Sequence, residues 1–260
     1  MSIRIGVQIQ PQHADFEQMR EAWRAAEGLG VDSIYTWDHF YPLYGDAQGK
    51  HFEGATSLAA LAASTERARI GALVFCNSYR NPQLLANVHS TIDHLSGGRV
   101  IFGIGAGWFE RDYDEYGYEF GTAPQRLRAL RRDLPLIKKR LAKLNPPPVG
   151  EIPIMIGGGG EKVTLRLVAE YAQLWHTFAD PTTYLHKSEV LAEHCAKVGR
   201  DPATIERVIG SSGSISEHAD ALADAGVHEL TIGVGGGPGG YDLGELNELL
   251  QWRDRRNGAG

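Results

Sequence analysis

Two short segments carry residue types that can exchange protons beside a bound molecule. Asp38 and His39 stand together directly after an apolar run, and Glu110 follows a second run that passes through Gly105 and Gly107. An imidazole exchanges a proton close to neutral pH, as acid–base catalysis requires. Glycine has no Cβ, so a flat ligand or a phosphate group can approach the backbone closely. These patterns predict acid–base chemistry next to a planar or phosphorylated molecule.

A second group of glycines has the layout of a phosphate-binding loop. An apolar run over 152–156 leads directly into 157–160, and a helical pattern follows from Glu161. Backbone N–H groups at the start of a helix attract anions, so a strand, glycines and a helix in this order predict a phosphate site. The glycines at 235–240 compete for this role, because barrel phosphate sites often follow the last strands. Pro238 and a weak helix start beyond it make that loop the second choice.

The spacing of apolar residues predicts eight strands, each followed by a helix. The predicted strands cover residues 3–10, 31–37, 69–76, a run from Val100 into the glycines, 152–156, 172–178, 205–211 and 227–234. Repeated alternation of this kind predicts a parallel sheet, and a chain of 260 residues is long enough for it to close into a TIM barrel. We therefore expect an α/β fold with a single TIM-barrel domain over residues 1–260.

Two Rossmann halves are the alternative to a barrel. That fold would need a break near the middle of the chain, for which the proline-rich stretch around Pro147 is the candidate. The glycines around Gly105 lack the G-x-G-x-x-G spacing of a dinucleotide site, because Trp108 occupies the place of the third glycine. Pro135 lies inside the helical pattern after the fourth strand and predicts a kink or break there.

In a barrel, residues at the carboxyl ends of the strands share one mouth. The candidates for this mouth are Gln8, Gln10, Asp38, His39, Cys76, Asn77, 105–108, 157–160, Trp175, His176, Ser211, Ser212 and 235–237. The set is aromatic and rich in glycine, with few charges. It suits a planar cofactor carrying a phosphate better than it suits direct hydrolysis.

Composition excludes several other classes of protein. The formal net charge of −6 disfavours binding to nucleic acid or to an anionic membrane, and no apolar run is long enough to span a bilayer. Cys76 and Cys195 are too few for a disulfide framework, and no third ligand accompanies His186 and His194, so we expect no metal site. The chain opens directly on a strand pattern, without a secretory signal, so we expect a cytoplasmic protein.

Four segments, in order along the chain, resemble the luciferase-like monooxygenase superfamily, and more narrowly its actinobacterial branch of coenzyme F420-dependent oxidoreductases. They are SIYTWDHF at 33–40, YRNP at 79–82, LSGGR at 95–99 with GIGAGWFERDYDEYG after it, and PIMIGGGG at 153–160. The similarity extends from Ile3 to about His176 and is only topological beyond. It implies a TIM barrel that binds F420 or FMN at the strand carboxyl ends, commonly as a homodimer. It also implies hydride transfer between the deazaflavin C5 position and a small organic substrate.

The resemblance assigns roles to individual residues. His39 and Asp38 match a pair that lies by the deazaflavin and the substrate, and the resemblance implies that His39 is the acid–base residue and that Asp38 is catalytic with it. Leu73 and Val74 match a bulge, often with a non-proline cis peptide, that backs the cofactor ring. The remaining cofactor contacts match Gly105, Ala106 and Gly107 after the fourth strand, and Gly158, Gly159 and Gly160 as the phosphate loop. The predicted substrate walls are Trp108, Trp175, His176 and Glu110, and Glu110 is also a catalytic candidate.

Two departures separate this chain from the sugar-phosphate dehydrogenases of the superfamily. Leu43 stands where those enzymes have a tryptophan, and Trp108 stands where they have a catalytic glutamate. Oxidation of glucose 6-phosphate is therefore disfavoured, and the short chain predicts a shortened lid region. An F420-dependent oxidoreductase is the favoured function. The alternatives are an FMN-dependent luciferase-like monooxygenase and a protein that binds a flavin or F420 without turnover.

Overall fold

A computed structural model of the chain, which describes residues 2–210 and 215–258, contains a closed barrel of parallel strands. The strands are β1 Arg4–Ile9, β2 Ser33–Thr36, β3 Arg69–Ala72, β4 Phe75–Cys76, β5 Val100–Gly105, β6 Ile154–Gly157, β7 Leu174–Phe178, β8 Glu206–Gly210 and β9 Glu229–Val234. β1 pairs with both β2 and β9, and β3 and β4 both pair with β5, which closes the sheet. The predicted TIM barrel is confirmed.

Helices separate the strands in the part of the chain that the structure describes. They are α1 Phe16–Leu29, α2 Gly54–Ser64, α3 Pro82–Ser96, α4 Glu110–Tyr116, α5 Ala123–Leu141, α6 Thr164–Tyr171, α7 Pro181–Lys197, α8 Ile215–Asp224 and α9 Gly244–Gly258. Two of these helices end at glycines, α1 at Gly30 with φ 91° and α3 at Gly97 with φ 67°. Glycine adopts these left-handed conformations without the steric cost of a Cβ.

Two apolar clusters hold the barrel together. The larger one fills the space between sheet and helices, and Trp23, Phe102 and Trp175 are among its fully buried members. A smaller cluster, to which Tyr35 and Met155 belong, fills the inside of the barrel. Because successive side chains of a strand point to opposite faces, the strands β2, β5, β6, β7 and β8 each contribute to both clusters. The floor of the mouth thus rests on a packed interior.

The structure refines the expected order of elements in three places. The third barrel strand is interrupted between β3 and β4, where the Leu73–Val74 peptide bond is cis, as the resemblance suggested. Helix α4 directly follows the glycines after β5 and was not expected from the sequence. Helix α5 continues through Pro135 to Leu141, so the alternative of a break there is wrong.

The loops after the late strands are short where they are described. Residues 158–163 join β6 to α6, and residues 179–180 join β7 to α7. The glycine-rich segment 235–240 includes a two-stranded ribbon of β10 Gly236–Gly237 and β11 Gly240–Tyr241. Ser211 and Ser212, expected at the mouth, lie outside the described residues. Among the residues described, no helix has the length and apolar character needed to cross a bilayer.

Candidate functional site

A cavity of about 440 Å³ opens at the carboxyl ends of the strands. This volume lies in the range of small-molecule and cofactor pockets, about 300 to 1,000 Å³. Its lining comes from the ends of β2 to β7 and from the segments and helix starts after them: Asp38, His39, Leu73, Val74, Phe75, Cys76, Tyr79, Gly105, Ala106, Gly107, Trp108, Ala123, Arg126, Leu127, Gly157, Gly158, Gly159, Gly160, Thr164, His176, Thr177 and Phe178. Of the expected mouth residues, Asp38, His39, Cys76, 105–108, 157–160 and His176 line this cavity, whereas Gln8, Gln10, Asn77 and 235–237 do not.

His39 is held in place by a buried carboxylate from α4. Its Nδ1 lies 2.8 Å from Oδ2 of Asp112, which is fully buried. The same carboxylate accepts hydrogen bonds from the backbone N–H groups of Phe40 and Tyr41 and from the hydroxyl of Tyr79. A carboxylate accepts only, so Nδ1 carries the proton and donates it to Asp112. Nε2 is then the lone-pair nitrogen, and it has no hydrogen-bond partner among the described residues.

Asp38 is adjacent to His39 in sequence but serves a different contact. Its carboxylate receives two hydrogen bonds from the guanidinium of Arg80, at 2.7 and 2.8 Å, and one from the backbone N–H of Cys76. Burial raises the pKa of Asp38 to about 6, although the Arg80 guanidinium opposes that rise. Arg80 also binds Glu53. Asp38 therefore anchors β4 beneath the cavity, and the carboxylate that orients the imidazole is Asp112.

Aromatic rings surround the imidazole of His39. The rings of Trp37, Trp108 and Phe109 each meet it edge to face, with centroids 5.4 to 5.7 Å apart. Such contacts fix the orientation of a ring as well as burying its surface. Trp108 remains 64% exposed while lining the cavity. The imidazole is thus positioned on one side by Asp112 and on the others by aromatic walls.

The interruption of the third strand places Val74 against two glycines. A Cβ added at Gly105 would lie 2.8 Å from a Val74 methyl group, and one at Gly157 would lie 2.9 Å from both methyl groups. Real Cβ atoms do not approach carbon this closely, so both positions require glycine. The carbonyl of Leu73 accepts a hydrogen bond from Nε2 of Gln8 at 3.1 Å. The bulge that lines the cavity is therefore packed tightly from two neighbouring strands and tied to β1.

The glycine loop after β6 has a fixed shape. Gly158 has φ 123°, a conformation that favours glycine, and its N–H donates to the carbonyl of His176 at 2.9 Å. Its own carbonyl accepts from Nε1 of Trp175 at 2.9 Å. Nζ of Lys187, on α7, donates to the carbonyl of Gly159 at 2.7 Å. These bonds leave the loop beside the start of α6, with a lysine ammonium group held against it.

His176 contributes an unusual polar atom to the cavity. The side chain is 4% exposed, and its Nε2 is buried without a hydrogen-bond partner in the described structure. Burial lowers the pKa of His176 to about 4, so the ring is neutral near pH 7. A buried polar atom without a partner costs free energy, which a bound ligand can recover. Phe178 lies edge-on to this ring at 5.1 Å and is 62% exposed.

Two of the expected site residues lie elsewhere. Trp175 is fully buried in the core between sheet and helices and stacks on Tyr184, so the prediction that it walls the substrate is wrong. The reason is alternation along β7, which turns His176 into the barrel and Trp175 away from it. Glu110 is exposed at the first position of α4 and does not line the cavity.

Several lining or supporting residues were not expected from the sequence: Asp112, Tyr79, Arg126 and Phe178. Asp112 stands in the acidic segment after the glycines, two residues beyond Glu110. A helix assignment over 110–116 would have shown that only some of those acidic side chains can face the protein. The pattern alone did not show which carboxylate turns inward.

Comparison with known proteins adds to this geometry. The family model described as luciferase-like monooxygenase matches residues 1–258. The chain belongs to this family.

Its curated relatives include F420-dependent glucose-6-phosphate dehydrogenases. The one from Microbacterium testaceum is 29% identical over 216 residues, which cover 75% of this chain and 62% of the relative. The one from Amycolatopsis mediterranei is 31% identical over 165 residues, which cover 56% of this chain and 47% of the relative. The chain thus matches about half to three-fifths of the length of these relatives.

Solved structures of similar shape extend the comparison to the whole luciferase-like barrel. An F420-dependent secondary alcohol dehydrogenase in complex with an F420–acetone adduct has a TM-score of 0.83 at 17% identity, covering 96% of this chain and 98% of that one. The F420-dependent tetrahydromethanopterin reductase from Methanopyrus kandleri has a TM-score of 0.75 at 16% identity, covering 96% and 97%. At these identities the similarity establishes the fold.

Proposed function

We propose that this luciferase-like protein is an F420-dependent oxidoreductase that transfers a hydride between the deazaflavin C5 position and a small organic substrate. The observation that carries the proposal is the pairing of His39 with Asp112 at the wall of a glycine-lined cavity. The names of the curated relatives support F420 as the cofactor. The arrangement suits proton exchange with a substrate whose carbon gains or loses a hydride.

The residues of the cavity fit a cofactor of this kind. The bulge at Val74 presents an apolar surface for a flat ring, and Gly105 and Gly107 bring the backbone of the next strand end close to it. The unpartnered Nε2 of His176 offers a hydrogen-bonding position for a polar group of the ligand. A flat heterocycle with ring nitrogens and carbonyl oxygens needs an apolar surface for its faces and hydrogen-bonding partners for its polar atoms. The cavity offers both.

We assign the cofactor contacts on this basis. The ring would pack on Leu73 and Val74 and against the turn 105–107. The phosphate would bind the loop 158–160 through the N–H groups of Gly159 and Gly160, because the N–H of Gly158 already donates to the carbonyl of His176. The ammonium group of Lys187 lies next to this loop, where it donates to the carbonyl of Gly159 and also pairs with the carboxylate of Glu161 at 3.2 Å. Asp38 supports the same wall through Arg80 and the backbone of Cys76.

The mechanism follows from the tautomer of His39. When bound, the deazaflavin accepts or supplies a hydride at C5. In the direction of alcohol oxidation, Nε2 takes the hydroxyl proton as the carbon loses its hydride, and the product is a carbonyl compound. In the reverse direction the imidazolium returns that proton to the carbonyl oxygen. The carboxylate of Asp112 stabilises the imidazolium and keeps Nε2 directed at the cavity.

Binding of F420 and of FMN to the purified protein, followed by fluorescence, tests the proposal. We expect F420 to bind in the micromolar range or tighter and FMN to bind more weakly. Replacement of His39 by Ala should lower turnover far more than cofactor affinity. Preference for FMN would instead indicate oxygen-dependent monooxygenase chemistry. Tight F420 binding without hydride transfer to any acceptor would indicate a binding protein.

We also propose that the protein is a homodimer, as the resemblance implies. Large apolar side chains are exposed on the neighbouring helices α3 and α5: Leu84 at 56%, Leu95 at 52% and Leu136 at 38%. Light scattering of the purified chain tests this, and a Leu84→Glu variant should shift a dimer towards the monomer. A monomeric wild-type protein would contradict the proposal.

A further inference from the structure

Two exposed aromatic rings line the cavity, one beside each of its histidines. Trp108 lies edge-on to His39 at 5.7 Å, and Phe178 lies edge-on to His176 at 5.1 Å. Both line the cavity, yet 64% of Trp108 and 62% of Phe178 remain exposed. Large aromatic side chains at the mouth of a pocket can offer their faces to a ligand, and the described residues leave most of these two rings uncovered. Each ring also lies next to a nitrogen that can exchange a hydrogen bond.

The charged residues that line the cavity are already paired with protein groups. Asp38 is held by the guanidinium of Arg80. Nε of Arg126 donates to the carbonyl of Gly107, and its Nη1 donates to the carbonyls of Phe120 and Gly121. Its guanidinium also lies 3.8 Å above the Phe120 ring. Among the described lining residues, no lysine and no second arginine is present to neutralise an anionic substrate.

The surroundings of His39 also offer few hydrogen-bonding groups that could bind a sugar. Trp108 stands directly after the glycine turn, and its indole covers one side of the imidazole. The rings of Trp37 and Phe109 also meet that imidazole, whose Nδ1 is occupied by Asp112. A sugar substrate needs several hydrogen-bonding groups around its hydroxyls, and an unmet polar group is costly when buried. A flat apolar ring loses nothing by contact with these walls and gains stacking or edge contacts.

We propose that the substrate is an uncharged, planar aromatic compound carrying one ketone or secondary alcohol group, with its ring against Trp108 and Phe178 and its oxygen at Nε2 of His39. This inference rests on the proposed function for the reaction, and it identifies the class of compound that reacts. Its oxidation releases one hydride to the cofactor and one proton to His39, and reduction reverses both transfers. Sugar phosphates, named as substrates of the curated relatives, are excluded by this assignment.

A matched pair of ketones tests the proposal. Acetophenone and cyclohexyl methyl ketone have the same carbon skeleton, but only the first has a planar aromatic ring. Titration calorimetry on the F420-loaded protein should give affinity about two- to tenfold higher for acetophenone, the range of an aromatic contact. Glucose 6-phosphate should not bind measurably at concentrations that saturate acetophenone.

Variants show whether the two rings cause this preference. Trp108→Ala and Phe178→Leu should each reduce the ratio of the two affinities towards one, and Trp108→Phe should retain most of it. Tyr44→Ala is the matched control, because Tyr44 is 61% exposed and lies outside the cavity lining. An unchanged ratio in Trp108→Ala, or tighter binding of glucose 6-phosphate than of acetophenone, would overturn the proposal.

F420 binding, measured by its fluorescence, distinguishes failure of the proposed substrate class from failure of the proposed function. Tight F420 binding with no preference for acetophenone would reject the substrate class and leave the reaction class standing. Binding of acetophenone with the expected preference to a chain that does not bind F420 would reject the reaction class and support the aromatic site.

Discussion

His39 and Asp112 are 73 residues apart in the chain and 2.8 Å apart in the structure, measured from Nδ1 to Oδ2. The contact exists because the segment after β5 forms the short helix α4, which turns Asp112 inward below the loop after β2. Backbone N–H groups of Phe40 and Tyr41 bind the same carboxylate, so the loop and the helix fix each other. The imidazole is oriented by this long-range contact.

Removing the charge of Asp112 tests its role as a positioning residue. Asp112→Asn keeps the size of the side chain, but the amide can donate towards Nδ1 and favour the wrong tautomer of His39. We expect turnover to fall about a hundredfold, within the range of acid–base contributions, while the Kd for F420 changes little. The pH profile of turnover should also shift, because the imidazolium loses its counter-charge.

Asp114→Asn is the control, since Asp114 is exposed on the same helix. It should leave turnover and pH profile unchanged. Equal loss of turnover and of F420 affinity in Asp112→Asn would show that Asp112 maintains the shape of the binding site and does not act by fixing the tautomer of His39.

A methyl group at Gly157 should disturb the ring-binding wall. In Gly157→Ala the new Cβ would lie 2.9 Å from both methyl groups of Val74. Overpacking of this kind costs about 1 to 3 kcal/mol, and we expect lower stability in denaturant together with about tenfold weaker F420 binding. Gly150→Ala is the control, because a Cβ there meets nothing within 4 Å. Unaltered F420 affinity in Gly157→Ala would place the cofactor away from Val74.

Lys187 offers a test of the phosphate loop. Lys187→Met removes the ammonium group that donates to the carbonyl of Gly159, while keeping an unbranched side chain. We expect several-fold weaker binding of F420, with a smaller dependence of its Kd on salt, because one favourable charge contact is lost. Binding of the deazaflavin nucleoside without phosphate should change less.

Lys197→Met provides the comparison for that measurement, since Lys197 is exposed at the end of the same helix. Equal weakening for F420 and for the phosphate-free nucleoside would contradict a phosphate at residues 158–160.

Burial of His89 predicts a loss of stability in acid. Burial lowers the pKa of His89 from 6.5 to about 3, so the unfolded chain binds a proton that the folded protein excludes. The free energy of unfolding therefore falls as the pH drops below 6.5, by about 1.4 kcal/mol per pH unit for this group. In His89→Phe, the free energy of unfolding measured in urea between pH 6.5 and 4 should fall less steeply with decreasing pH than in wild type, by about 1.4 kcal/mol per pH unit.

His186→Gln is the matched control, because 59% of the His186 side chain is exposed. The same slope in wild type and His89→Phe would show that protonation of this buried ring does not contribute to acid unfolding. The Nδ1 of His89 also donates to the carbonyl of Leu85, so His89→Phe should be less stable than wild type at neutral pH.

The sequence by itself determined the barrel and the edge at which chemistry occurs. Alternating strand and helix patterns specify parallel strands, and residues after those strands must meet at one mouth. Gly105, Gly157 and Gly158 were recognisable because they follow strand patterns, although the close contacts with Val74 that require Gly105 and Gly157 are long-range. His39 was recognisable in the same way, since it directly follows a strand.

Only the tertiary structure decided which side chains act together. Asp38 adjoins His39 in sequence, but its carboxylate turns to Arg80, and Asp112 from a distant helix takes its place. His176 and Trp175 are neighbours on one strand, and the register of β7 sends one into the cavity and the other into the core. The direction of each of these side chains depends on packing between elements that are far apart in the chain, so the local sequence pattern cannot predict it. Types of residue are fixed locally, whereas the direction and partner of each side chain are set by long-range contacts.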